Sequence, residues 1–183
     1  YRVISYSRRY SFPNKNAITA GYRPAISDAD DLKAIIKTLG LKKVHLVGLS
    51  YGAFAGLIFA AENPRMVASM VLAEPPAHQI IRDVPGGEQL YQDFLGQLKP
   101  MVEAFRQGDD RRAIVSFNRS MGRDFDKLPA EAASRMMQNA PALKAINLAP
   151  EPFPAIKKRK LRKLRIPTLM VKSEKADRLH AGV

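Results

Sequence analysis

The segment KVHLVGLSYGAFAGLIFAAENPRMVASMVLA, Lys43 to Ala73, constrains the fold more than any other part of the chain. Lys43–Val47 is a largely apolar run of β-formers, of the kind found in strands covered on both faces. Gly52–Glu62 is apolar around nearly its whole circumference, which predicts a buried helix. Asn63-Pro64 ends that helix, because proline lacks the N–H that would continue the ladder. Val67–Ala73 reads as a further strand, stopped by Glu74-Pro75-Pro76. Two strands joined through a helix by short links run parallel, with the helix packed on the sheet between them.

The upstream sequence extends the pattern. Arg2–Tyr6, RVISY, is a short β-branched and aromatic run followed by the polar loop SRRYSFPNKN, and it predicts a strand. SDADDLKAIIKTLGL then predicts a helix. Ser27 can serve as its N-cap, and acids crowd a first turn where the helix dipole favours them. Leu32, Ile35, Ile36 and Leu39 fall at i, i+3, i+4 and i+7 and form one apolar face. Gly40 supplies a left-handed stop. The order strand, helix, strand, helix, strand predicts an α/β fold, a mostly parallel sheet flanked by helices.

Composition narrows the chemistry. The 183 residues suit a single-domain length, long enough to bury a core. There are no cysteines, which excludes disulfides, thiol catalysis and cysteine-ligated metals and suits a reducing, cytoplasmic setting. No apolar run approaches the roughly 20 residues that cross a bilayer, and residues 1–20 lack the order of a signal peptide. The formal charge of +13 owes much to KKRKLRKLR at 157–165, where seven of nine residues are basic. With Leu161 and Leu164 at i and i+3, the run reads as the solvated end of a helix plus a loop. No aromatic residue interleaves it and no nucleic-acid-binding motif accompanies it, so a nucleic-acid partner is disfavoured.

Gly48-Leu49-Ser50-Tyr51-Gly52 fits G-x-S-x-G and lies between a predicted strand and a predicted helix, the setting this pattern requires. A sharp turn there holds the serine in a strained conformation, with glycines where side chains would clash, so that its hydroxyl projects above the carboxyl edge of the sheet. The backbone N–H of Tyr51, at the start of the helix, can donate to a developing oxyanion. Ser50 is therefore the candidate nucleophile.

The segment YRVISYSRR…DADDLKAIIKTLGLKKVHLVGLSYGAFAGLIFAAENPRMVASMVLAEPP resembles the central part of the α/β-hydrolase superfamily. The resemblance makes Arg2–Tyr6 the fourth strand of that family's sheet, places the elbow after the fifth, and makes VASMVLAEPP the sixth. PTLMVKSEKAD, from Pro167, resembles the seventh strand and the turn after it. It implies an incomplete hydrolase core over residues 1–76 and 165–183. Residues 77–164 would form a helical cap inserted after the third strand of this chain. Within that insertion Tyr91, Phe94, Leu95, Leu98, Val102 and Phe105 form one helical stripe. Ile114, Phe117 and Met121 predict a second helix opened by Asp109 and Asp110, and Met136–Leu148 a third. The family's Asp-x-Arg-Gly-x-Gly-x-Ser pattern is replaced here by SRRYSFPN.

A serine nucleophile needs a base and an acid to orient it. His45 lies inside a strand and reads as structural; His78 opens the insertion. The family's base lies beyond an eighth strand. Lys172–Leu179 leaves no room for a helix and strand before His180, so the base is expected outside this chain. The family carries its acid in one of two places. After the seventh strand Ala176 stands where the acid is expected and Asp177 is one residue late; at the end of the sixth stands Glu74, which is preferred. A second oxyanion donor would lie upstream of Tyr1, and the chain reads as a fragment of a longer hydrolase. The resemblance thus implies a serine hydrolase acting on a small-molecule ester-like or other acyl substrate through a Ser50 acyl-enzyme, with no metal and no organic cofactor. The alternatives are a non-catalytic hydrolase-like binding protein and a nucleic-acid-associated protein using residues 157–165. Oligomeric state is not encoded legibly.

Overall fold

The computed structural model describes residues 2–173. It divides into two compact units, one formed by residues up to Tyr22 with Phe94–Pro152, the other by Arg23–Asp93 and the chain from Phe153.

The second unit holds a three-stranded sheet. Helix α1 (Ile26–Thr38) leads to strand β1 (Val44–Leu49), helix α2 (Tyr51–Glu62) and strand β2 (Val67–Ala73). After residues of the other unit the chain returns to add strand β3 (Thr168–Val171). The strand order is β1-β2-β3 and both pairings are parallel, with Leu49 level with Ala73 and Met70 level with Thr168. The start and end of β2 and the end of α2 coincide with the sequence reading.

Helix α2 buries Ala53, Phe54, Ala55, Gly56, Ile58, Phe59 and Ala60, as its apolar circumference requires. They pack with Ile36 of α1 and with Val67, Met70 and Leu72 of β2 in one core. β1 departs from the expectation of a strand covered on both faces. Its residues alternate half-buried and exposed, and Val47 and Leu49 are 82% and 70% exposed. Successive side chains point to opposite faces of a sheet, and α2 covers one of them.

The ends of α1 show one correction and one agreement. Ser27 is not the N-cap: the cap residue is Ala25, at φ 59°, and the Ser27 hydroxyl accepts the N–H of Arg23 from within the first turn. At the other end Gly40 takes φ 64°. Its N–H reaches the Lys37 carbonyl and that of Leu41 reaches Ile36, both at 3.0 Å, the paired bonds of a Schellman stop.

The chain segment 153–166 packs Phe153, Ile156, Leu164 and Ile166 against the same core. It contains the short helix α7 (Lys158–Arg162), so the basic run is a solvated helix end plus a loop with Leu164 turned inward. Lys158 pairs with Asp83 at 2.7 Å, and Lys160 pairs with Glu62 at the end of α2.

The other unit is helical. Helix α3 (Gly87–Arg106) buries Phe94, Leu98, Met101 and Phe105. Helix α4 (Asp110–Ser120) is capped by Asp109, whose carboxylate accepts the Arg112 N–H at 2.9 Å. The single helix expected over Met136–Leu148 is two, α5 (Ala130–Gln138) and α6 (Ala140–Asn147). The break falls at Asn139, because Pro141 carries no N–H to continue the ladder of α5 and is accommodated instead in the first turn of α6. Tyr10 and Tyr22, stacked edge to face at 4.8 Å, pack against Ala142 and Ala145 of α6. Arg2–Tyr6 is not a strand: Val3 is 90% exposed, and β-propensity without a paired neighbour forms no ladder. The helical segment thus follows the second strand of the described chain, not the third. No helix among the described residues is long and apolar enough to cross a membrane.

Candidate active site

The elbow is built by β1 and α2 together. β1 ends at Leu49 and α2 begins at Tyr51, leaving Ser50 alone to reverse the chain. It does so at φ 49°, ψ −125°, a conformation that L-residues other than glycine rarely adopt. Holding a non-glycine residue there costs on the order of 1–3 kcal/mol. Two backbone bonds secure it: the Ser50 N–H donates to the Ala73 carbonyl at 2.7 Å, and the Ser50 carbonyl accepts the Phe54 N–H at 3.1 Å. Ser50 is thereby tied to β2 on one side and to the first turn of α2 on the other, and it is exposed.

The two glycines of the pattern differ. A Cβ on Gly48 would lie 2.6 Å from Cα and 2.7 Å from N of Ala53, so α2 can approach β1 only over a glycine. A Cβ on Gly52 would meet nothing within 4 Å, so the expected clash is real at Gly48 and absent at Gly52 among the described residues.

Tyr51 is the first residue of α2, where backbone N–H groups point out of the helix toward its positive end. Its side chain has a second task that the sequence did not reveal. The phenol oxygen accepts the N–H of Ala25, the cap residue of α1 that has no side-chain cap of its own. The Tyr51 ring also meets Phe153 edge to face at 6.4 Å, and Phe153 lies 6.1 Å from Phe54 and 5.6 Å from His78. An aromatic cluster therefore backs the elbow. Phe153 stands 103 positions after Ser50 in the chain, and no periodicity links them.

Glu74 continues β2 past Ala73, the residue whose carbonyl holds Ser50. It too has left-handed backbone, φ 48°. Its N–H donates to Val171 at 3.0 Å, and its Oε1 accepts the N–H of Ser173 at 2.9 Å. Leu49 is level with Ala73, so Ser50 and Glu74 are the next residues on adjacent strands at the carboxyl edge of the sheet. Adjacent strands lie about 4.8 Å apart. The structure thus brings together Ser50, Tyr51 and Glu74.

The histidines separate. His45 is on β1, five residues before Ser50, about 16 Å away along an extended strand. Its Nδ1 is 2.8 Å from the Ser69 hydroxyl of β2, a cross-strand bond. His78 is buried, 1% exposed, against Phe153. Asp177 and His180 lie outside the described residues. Among the described residues, no group of three or more His, Cys, Asp or Glu side chains is placed to hold a metal ion.

Strained serine, obligatory glycine, parallel strands and a flanking helix together define a strand–turn–helix elbow, and comparison with known proteins places it in a family. Residues 1–175 match the family model for the α/β-hydrolase fold. The chain belongs to the α/β-hydrolase family. Among curated relatives, RutD of Variovorax paradoxus (strain S110), which carries a provisional carbamate-hydrolase name, is 39% identical over 83 residues, 43% of this chain and 30% of that protein. A 2-hydroxy-6-oxononadienedioate/2-hydroxy-6-oxononatrienedioate hydrolase of Pseudomonas putida is 44% identical over 45 residues, 25% of this chain and 16% of that protein. Among solved structures, one from a study of carboxylesterases of the thaumarchaeon Nitrososphaera gargenis superposes with a TM-score of 0.60 at 15% identity. That match covers 89% of this chain and 58% of the other, so this α/β-hydrolase chain spans little more than half of its structural relative and carries a partial core.

Proposed function

We propose that the whole protein is a serine hydrolase that cleaves a small ester-like or other acyl substrate through an acyl-enzyme on Ser50. The observation that carries this reading is the backbone of Ser50, held at φ 49° between β1 and α2 by the Ala73 carbonyl. A residue kept in so unfavourable a conformation, at an exposed strand end, is one whose side chain must be presented.

In this reading the Ser50 Oγ attacks the substrate carbonyl carbon while a histidine from the rest of the protein takes its proton. The Tyr51 N–H donates to the oxyanion, in the field of the α2 terminus. Glu74 stands at the neighbouring strand end, where a carboxylate can orient that histidine and balance its charge. Collapse of the tetrahedral adduct expels the leaving group, protonated by the same histidine. Water then attacks the acyl-enzyme and regenerates Ser50. The names of two curated relatives, a carbamate hydrolase and a 2-hydroxy-6-oxononadienedioate/2-hydroxy-6-oxononatrienedioate hydrolase, make carbamates and those dioates the first substrates to assay beside simple esters.

The test is capture by a fluorescent fluorophosphonate in the full-length protein, followed by mapping of the labelled peptide. Labelling at Ser50 that vanishes in Ser50→Ala is the expected result. An intact, folded protein that takes no label at Ser50 would leave a hydrolase-like binding protein as the better reading.

A further inference from the structure

We infer that the edge of the sheet opposite the elbow is a docking surface for an anionic phospholipid membrane. Because β1, β2 and β3 run parallel, the residues that precede each strand collect at one edge, the amino edge. Lys42 and Lys43 immediately precede β1, Arg65 precedes β2, and Lys163 and Arg165 precede β3. Lys37, in the last turn of α1, precedes β1 through a short loop. All six are exposed.

Two observations make this more than a solvated charge run. The first is that the acids beside it are already engaged. Lys160 and Lys158 of α7 take up Glu62 and Asp83, which anchors the segment and leaves Lys157, Arg159, Arg162, Lys163 and Arg165 exposed and without an ion-pair partner among the described residues. Between Asp31 and Glu62 the sequence contains no acidic residue at all. The second is the layout. Val44 is level with Val67, and Thr168 is level with Met70, three residues into β2, so Arg165, three residues before Thr168, corresponds by count to the start of β2. Adjacent strands lie about 4.8 Å apart, inside a screening length of about 8 Å at physiological salt, so the charges on neighbouring strands reinforce one another. They also fall on two layers, the strand starts and the helix ends beside them: α1 packs on α2, and α2 packs on the sheet and on α7.

A two-layered patch of flexible cations fits a planar array of headgroup phosphates. It fits nucleic acid less well. No aromatic residue stands among these cations to stack on bases, and α7, at five residues, is too short to lie along a groove. The exposed positions of the basic run carry no large apolar side chain, so contact is with the headgroup layer and does not involve insertion.

The experiment is co-sedimentation of the purified chain with phosphatidylcholine vesicles, made with and without phosphatidylserine, at low salt and at about 0.5 M salt. A belt variant (Lys42→Gln, Lys43→Gln, Arg65→Gln, Arg165→Gln) is compared with a variant of equal charge altered in the helical unit (Lys15→Gln, Lys99→Gln, Arg119→Gln, Arg123→Gln). The chain is expected to sediment with phosphatidylserine vesicles only, to be released by salt, and to lose at least about tenfold in partitioning in the belt variant but less than about threefold in the control. Should the belt variant fold poorly, the double variant Lys42→Gln/Lys43→Gln, with far-UV circular dichroism as the check, is expected to show an intermediate loss. Absence of binding, equal binding to neutral vesicles, or equal losses in both variants would overturn the inference. So would displacement from the vesicles by duplex DNA at equal phosphate concentration, which would assign the belt to nucleic acid.

Discussion

The two edges of one small sheet handle backbone strain in opposite ways. At the carboxyl edge both turns that leave a strand place a non-glycine residue in left-handed backbone, Ser50 at φ 49° and Glu74 at φ 48°. At the amino edge the turn between α1 and β1 needs the same region, and a glycine fills it, Gly40 at φ 64°. In the proposed reaction the carboxyl edge has a use for both side chains, a hydroxyl on one strand end and a carboxylate on the next. The amino edge has no such demand at Gly40, so it takes the relaxed residue and spends its side chains on surface charge.

The largest effect that would break this comparison lies at Gly48. Gly48→Ala puts a Cβ into the backbone of Ala53 and is expected to lower unfolding stability by about 3 kcal/mol, through separation of α2 from β1. Gly52→Ala meets open space and, in a helix, is expected to be neutral or to gain up to about 1 kcal/mol. Urea unfolding of the two variants measures the difference, and equal losses would mean that the elbow is not packed as described.

A smaller effect sharpens the comparison directly. Ser50→Gly relieves the left-handed strain and is expected to raise stability by about 1 kcal/mol while abolishing fluorophosphonate capture. Gly40→Ala does the reverse at the other edge, losing about 1 kcal/mol and leaving capture unchanged. A destabilised Ser50→Gly would show that the serine is held by contacts worth more than its strain.

The smallest effect concerns the basic segment. The hydrogen bond and charge of Lys158 hold the Asp83 carboxyl below the usual carboxylate range. A carboxylate depressed on folding contributes stability that is present above its ordinary pKa and is lost as pH falls through the depressed value. Asp83→Asn is therefore expected to be slightly less stable than the natural chain at pH 7, with the gap closing in acid as pH falls below the ordinary carboxylate range. The pair is exposed, so a shift of urea midpoint barely above error is the expected size. A gap that persists in acid would assign the effect to packing instead of charge.

Much of the sheet unit was legible in advance because its signals are local. The all-round apolar α2, the Asn63-Pro64 break, the Glu74-Pro75-Pro76 stop and the Gly40 turn each depend on residues within a few positions of one another. Two of the failures share a cause, a partner distant in the chain, and the third is local. Arg2–Tyr6 has the composition of a strand, yet a strand exists only when another pairs with it. Ser27 has the chemistry of an N-cap, but the cap residue is Ala25, whose N–H donates to the Tyr51 phenol 26 residues away. Met136–Leu148 has a helical stripe that Pro141 divides. At the candidate site, Ser50 and the Tyr51 N–H were readable from G-x-S-x-G, and Glu74 from its place at a strand end. The Tyr51 phenol, Phe153 and Ser173 were not, since each acts on a residue far away in the chain.

The sequence by itself determined the parallel strand–helix–strand unit, the place of the serine within it and the basic character of the 157–165 run. Each follows from short-range backbone sterics and from the period of apolar residues. Only the tertiary structure decided that Ser50 is bolted to Ala73, that Glu74 shares its edge and is clamped by Ser173, and that cations from four separate stretches meet at the opposite edge. Those are consequences of register, and register is set by which strand pairs with which, a choice made by packing over distances that no local pattern spans.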